Sequence, residues 1–193
     1  MSVLTRYLTR ATVAAVAATV LSFGAMAGLG VAAVANAELS TKAQRMPCDQ
    51  IPGTPEAFEG KSHLQYDGQP HPAYHTTPPT SGWHYPRLMA PGVYDSPVVE
   101  ELQVHFLEHG HIMIDYAPDT PHDQVKALIT YARRHPRDVA VAPYPKLDHG
   151  IALTAWQRLD RLDTVDLKAV DRFVSAVSGR YDHGWQHGAG PCL

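Results

Sequence analysis

The sequence predicts an α+β fold, a small sheet of short strands with helices packed on it behind a long irregular N-terminal segment. Three observations carry this. From residue 96 onward, three apolar patterns at helical spacing alternate with three short apolar runs. Between Gly68 and Gly92, six prolines leave no room for a long helix. The first 37 residues, by contrast, read as a separate export signal.

That signal has no Asp or Glu, a basic start at Arg6 and Arg10, and an alanine-rich run from Ala11 to Ala35. It closes on Ala35-Asn36-Ala37, a small-x-small cleavage pattern. The expectation is a cleaved secretory signal over 1–37, a mature chain from Glu38, and a secreted or periplasmic location. The alternative is an uncleaved anchor, since the run is long enough to span a bilayer. Membrane association enters only by that route.

Residues 38–95 form the Pro/Gly/His-rich segment. Tyr66, Tyr74, Trp83, Tyr85 and Tyr94 make it too aromatic for a disordered tail, so it is expected to be ordered and to share one domain with 96–193. In the α+β core, Ser96-Pro97 opens a helix with Val98, Val99, Leu102, Phe106 and Leu107 on its apolar face, and Gly110 stops it. His111–Tyr116 is a buried strand. Asp119-Thr120-Pro121 opens a second helix ending near His135-Pro136. Val139–Ala142 and Ile151–Trp156 are two further strands, and Asp166–Ser178 is the last helix.

Without Arg6 and Arg10, the chain carries 14 basic against 19 acidic residues. A mildly acidic surface argues against a nucleic-acid partner. Cys48 and Cys192 stand near opposite ends of the mature chain. In an exported protein the simplest reading is one disulfide. The rival reading makes them soft metal ligands together with Met46, His183 and His187.

All 12 histidines fall after the signal, and histidine is the commonest protein ligand for metals. The sharpest element is His105-Phe106-Leu107-Glu108-His109-Gly110. On a helix, His105 and His109 lie one turn apart on one face and can chelate one ion. Glu101 and Glu108 are placed to orient those rings. The letters also satisfy H-x-x-E-H, the inverted zinc-protease pattern. That chemistry also needs a third ligand on a distant helix, however, and Gly110 ends this helix at once, so the match is read as chance. Upstream, Pro78-Pro79-Thr80-Ser81-Gly82-Trp83-His84 is a stiff loop that presents His84 in a set direction. Ser81 lacks the strand-turn-helix context of a nucleophile. His63, His71 and His75 are candidates for a fourth ligand, whereas His122 and His135 read as solvated helix-end residues and His149 as a turn residue.

Pro79-Thr80-Ser81-Gly82-x-His84, then His105-x-Leu107-Glu108-His109-Gly110 leading into a strand ending at Tyr116, then Ala155-Trp156, resemble a family catalogued as a domain of unknown function. It occurs in exported or membrane-anchored bacterial proteins, and the resemblance covers roughly 63–174. The chain departs from it at Phe106, where Asn is usual, and at His111, where a small residue is common. The resemblance implies no settled activity. It implies that His84, His105, Glu108 and His109 form a polar centre, and it makes His63 the best-matching additional ligand.

The expected function is an exported metal-binding protein with His84, His105 and His109 as ligands and Glu108 and His63 beside them. Copper or zinc is the expected ion; export, histidine enrichment, Met46 and Met113 favour copper. Storage, delivery or resistance would follow, with a metal-donor or metal-acceptor protein as partner. One alternative is a metal-dependent extracytoplasmic hydrolase using Glu108 as general base. Another is a non-catalytic envelope module whose histidines build a rigid polar core.

Overall fold

The computed structural model of the chain describes residues 46–181. The expected signal segment with its cleavage site, and the tail residues His183, His187 and Cys192, lie outside the described residues. In chain order the elements are β1 (Thr54–Pro55), β2 (Gly92–Val93), α1 (Glu100–Glu108), β3 (Ile112–Tyr116), α2 (His122–Arg134), β4 (Val139–Pro143), β5 (Ile151–Ala155), β6 (Arg158–Leu162) and α3 (Leu167–Val177). The six strands form one mixed sheet in the order β1-β6-β5-β3-β4-β2. The fold is therefore α+β. β3 is central, parallel to β4 across the α2 crossover and antiparallel to β5. Between 56 and 91 the only regular pairing is an isolated bridge from His63 to His84.

Side-chain size along the strands sets the layering. Ile112, Ile114, Val139, Val141, Ile151 and Leu153 point to one face, where Leu128 of α2 and Val170 and Phe173 of α3 cover them. The opposite face of the sheet carries Met113, Ala140 and Ala142, packed against Val104, Phe106 and Leu107 of α1. Strands covered on both sides read as unbroken apolar runs, which is why β3 and β4 are visible in the sequence. Phe106 and Leu107 of α1 are fully buried there. Burial of that kind is worth roughly 1.5–3 kcal/mol per side chain.

Three details differ from what the sequence predicts. The first helix begins at Glu100 with Val99 at its N-cap and no side-chain cap, not at Ser96-Pro97. Tyr94 N–H donates to Val141 O on the sheet edge, so the chain must cross from the sheet before it can coil. Gln103 Nε2, one turn inside the helix, reaches back to Val98 O at 3.0 Å. Second, β6 has no counterpart in the expected order. It follows a two-residue turn at Trp156-Gln157, with Gln157 at φ 55° and no glycine to announce it. Third, β1 and β2 are two-residue edge strands, too short for any period to show. The last helix starts as expected: the Asp166 carboxylate caps it, accepting from Lys168 N at 2.8 Å.

Asp115 on β3 is completely buried, and neither of its carboxylate oxygens has a hydrogen-bond partner among the described residues. Burial, helped by the charge of Glu100, raises its pKa well above the ordinary value, and the Gln103 amide offsets this only in part. A carboxyl whose folded pKa is raised favours the fold most below its unfolded pKa, and that advantage is lost as pH rises through the folded value. Asp115→Asn should therefore flatten the pH dependence of stability and leave the variant more stable than the parent at pH 8. Urea melts at pH 5 and pH 8 would check this; equal slopes in both proteins would refute it.

Candidate metal centre

Two pieces of chain build the site. The first is the proline loop. Gly82 N–H donates to Gly60 O at 2.9 Å, His84 N–H to Ser62 O at 3.0 Å, and Leu64 N–H to His84 O at 2.8 Å. These bonds zip the 60–64 segment onto 82–84 and bring His63 beside His84. Gly82 sits at φ +118°, and a Cβ there would lie 3.0 Å from the Tyr74 ring. Ser81 is structural: its Oγ accepts from Glu59 N at 3.0 Å and donates to Ala57 O at 3.3 Å. The second piece is the last turn of α1, which carries His105 and Glu108, with His109 as its C-cap. Tyr85, next to His84, joins the two: its N–H donates to Glu101 O, and its carbonyl accepts from the His105 ring at Nδ1.

The result is a run of five contiguous side chains. His63, His84 and His105 each offer a ring nitrogen within 4.8 Å of the other two. The His63 ring stacks on His105 at 5.3 Å and meets His84 edge-on at 4.8 Å. His109 joins through His105, with their Nε2 atoms 2.9 Å apart. Glu108 joins through His84, with Oε2 3.1 Å from Nε2. The mutually close trio thus contains His63 in the place the sequence assigns to His109. His84, His105 and Glu108 are at most 3% exposed, whereas His63 is exposed and His109 half-buried.

Ring orientation decides what these atoms can do. His84 Nδ1 donates to Gly82 O at 2.9 Å, and His105 Nδ1 donates to Tyr85 O. In each neutral ring, Nε2 then carries the lone pair and faces the cluster. His84 Nε2 and Glu108 Oε2 therefore face each other as two acceptors at 3.1 Å, and neither has a hydrogen-bond partner among the described residues. A proton or a cation between them would satisfy both, and burial lowers the His84 pKa from its ordinary value despite the opposing effects of the Gly82 carbonyl and Glu108. A ring nitrogen held neutral with its other N–H tied to a backbone carbonyl is the arrangement that orients a metal-binding imidazole. Two donors on one tetrahedral ion with bonds of ~2.0–2.1 Å stand about 3.3 Å apart. The His105–His109 and His84–Glu108 pairs, at 2.9 and 3.1 Å, need only a slight opening to reach that value.

The other candidates go elsewhere. His71 Nε2 lies 3.3 Å from Glu101, and His75 Nδ1 lies 3.0 Å from Glu59. Glu101 thus serves His71 rather than His105. His149 pairs with Asp163 at 3.3 Å, His135 stacks on Tyr131, and His122 is an exposed first residue of α2. Met113 is a buried core residue below α1, and Met46 packs on the opposite face of the sheet. Sequence reasoning misses the backbone acceptors Gly82 O and Tyr85 O, and Trp156, which stands edge-on to His84 at 6.4 Å and stacks on Tyr181 at 4.9 Å. Carbonyls leave no residue-type signal. Trp156 is visible only as part of a resemblance.

The profile of a family described as "Protein of unknown function (DUF3105)" matches residues 67–189. The chain belongs to DUF3105. The match takes in His84, His105, Glu108 and His109, while His63 lies four residues ahead of its start. No curated protein and no solved structure is significantly similar to this DUF3105 chain.

Proposed function

We propose that the chain is an exported metal-binding protein that holds one divalent ion, zinc or copper(II), for storage, delivery or resistance. The observation that carries this reading is the pair of buried acceptors, His84 Nε2 and Glu108 Oε2, 3.1 Å apart beside His105. Two facing lone pairs repel, and a cation between them turns that repulsion into attraction. A donor set of imidazoles with one carboxylate suits zinc or copper(II) better than a soft monovalent ion. Mass spectrometry and elemental analysis of untagged exported protein should show a chain beginning at Glu38 that carries about one equivalent of metal. Metal-free protein that takes up neither ion would leave the histidines as a rigid polar core, the envelope-module alternative.

A hydrolase is the second reading, favoured by the position of Glu108 within the cluster, where it could take a proton from a metal-bound water. Glu108→Gln keeps the size of the side chain and removes the base. In this reading Glu108 is not itself a ligand, so metal affinity should fall no more than roughly tenfold. Any hydrolysis of activated esters that depends on the ion should disappear in the variant; turnover that survives would remove Glu108 from the chemistry.

A further inference from the structure

We infer that His63 is the exchangeable ligand of this centre, the one that lets go when the ion is received from or passed to an imidazole or thiolate of another protein; this rests on the metal-binding reading above. The ligand cluster has two tiers. His84, His105 and Glu108 are almost wholly buried, and the two rings are fixed by N–H bonds to Gly82 and Tyr85 carbonyls. His63 offers a ring nitrogen within 4.8 Å of those of His84 and His105, but it is exposed. Among the described residues its ring makes ring contacts with His84 and His105 and no hydrogen bond.

The backbone around His63 is nonetheless anchored, since Leu64 N–H donates to His84 O and His84 N–H donates to Ser62 O. Motion is thereby confined to the side chain, which can change rotamer on the fast timescale of exposed residues without disturbing the loop. A buried ligand cannot swing away without dragging its carbonyl partner and the packed turn of α1. In the exchange step, the bond from the ion to the His63 nitrogen breaks as a bond to the incoming nitrogen or sulfur forms. The oxidation state is unchanged, and a proton lost by an incoming thiol passes to the freed imidazole or to water. His84, His105 and Glu108 retain the ion until the second bond is made.

The test is zinc transfer from the loaded mature protein to a small chelator, nitrilotriacetate, followed by stopped flow. Release from the parent should accelerate in proportion to chelator concentration, because the entering donor displaces His63. His63→Ala should lose only roughly tenfold in affinity and release zinc roughly tenfold faster, and free imidazole should restore the parental rate. His105→Ala should lose roughly 100-fold or more in affinity, with imidazole giving no rescue; His105→Gln provides the same comparison if the Ala variant does not fold by circular dichroism. Release independent of chelator concentration, or a His63→Ala variant indistinguishable from the parent, overturns the exchange role while leaving metal binding intact. A parent protein that takes up no zinc or copper overturns both.

Discussion

Replacing His84 by Ala should lower metal affinity by roughly 100-fold or more, and His105→Ala should do the same. Both rings are buried, both aim Nε2 into the cluster, and both are locked in that orientation by backbone carbonyls. His135→Ala is the control, because that ring lies against Tyr131 at the end of α2. Calorimetric titration of metal-free protein would give the three affinities. Binding should also weaken as pH falls through about 6.5, since a protonated imidazole has no lone pair to give. The metal-free protein should itself lose stability over the same range. Burial lowers the His84 pKa, so below about 6.5 the unfolded chain takes up a proton that the folded chain refuses, and protonation pulls towards unfolding. Added zinc should restore the melting temperature near neutrality. A His84→Ala protein that binds as tightly as the parent would remove the proposed centre.

Gly110→Ala should damage the fold severely. Gly110 sits at φ +80°, and a Cβ there would lie 2.3 Å from Tyr181 O, with Gly179 Cα next at 3.1 Å. Those neighbours are backbone, and Gly179 N–H donates to Gly110 O at 2.8 Å, so neither side can yield cheaply. The left-handed conformation alone costs an L-residue ~1–2 kcal/mol, and the overlap adds to it, for about 2 kcal/mol or more in all. A melting temperature lowered by at least ~5 °C is expected. Gly68→Ala separates the two effects: Gly68 is also left-handed, at φ +77°, but a Cβ there meets nothing within 4 Å. It should show the conformational cost without the clash. Equal melting temperatures for the two variants would mean that the 110–181 contact yields to a methyl group.

The parts of this chain that are legible in its sequence are those where a side chain repeats its environment. β3 and β4 announce themselves because both faces of the sheet are covered, and α3 because its capping Asp166 and its apolar face agree. β6 does not, because Arg158, Asp160 and Arg161 break its apolar pattern and its turn residue, Gln157, is not a turn former. At the centre, the i, i+4 pair is readable from spacing, and a stiff loop carrying His84 is readable from its prolines. The choice of His63 over His71 and His75 is readable only through the resemblance, not from spacing. It depends on which carboxylate each ring finds, Glu101 or Glu59, and on a two-bond bridge between segments twenty residues apart. The two departures from the resembled family also become intelligible only in three dimensions, since the Phe106 and His111 rings stack at 4.5 Å.

Arg158 and Arg180 give the fold a mechanical property. Arg158 Nη1 donates to the carbonyls of Ile51, Pro52 and Gly53, and Arg180 Nη2 donates to Met46 O at 3.1 Å. Both guanidinium groups are buried, so these bonds are shielded from competing water. These bonds and the short ladder joining β1 to β6 tie the segment that precedes His63 to the strand and helix end that follow it. The histidine cluster lies downstream of its own strain relief. A surface, bead or fusion partner attached ahead of residue 46 should therefore leave metal affinity as it is in the untethered protein.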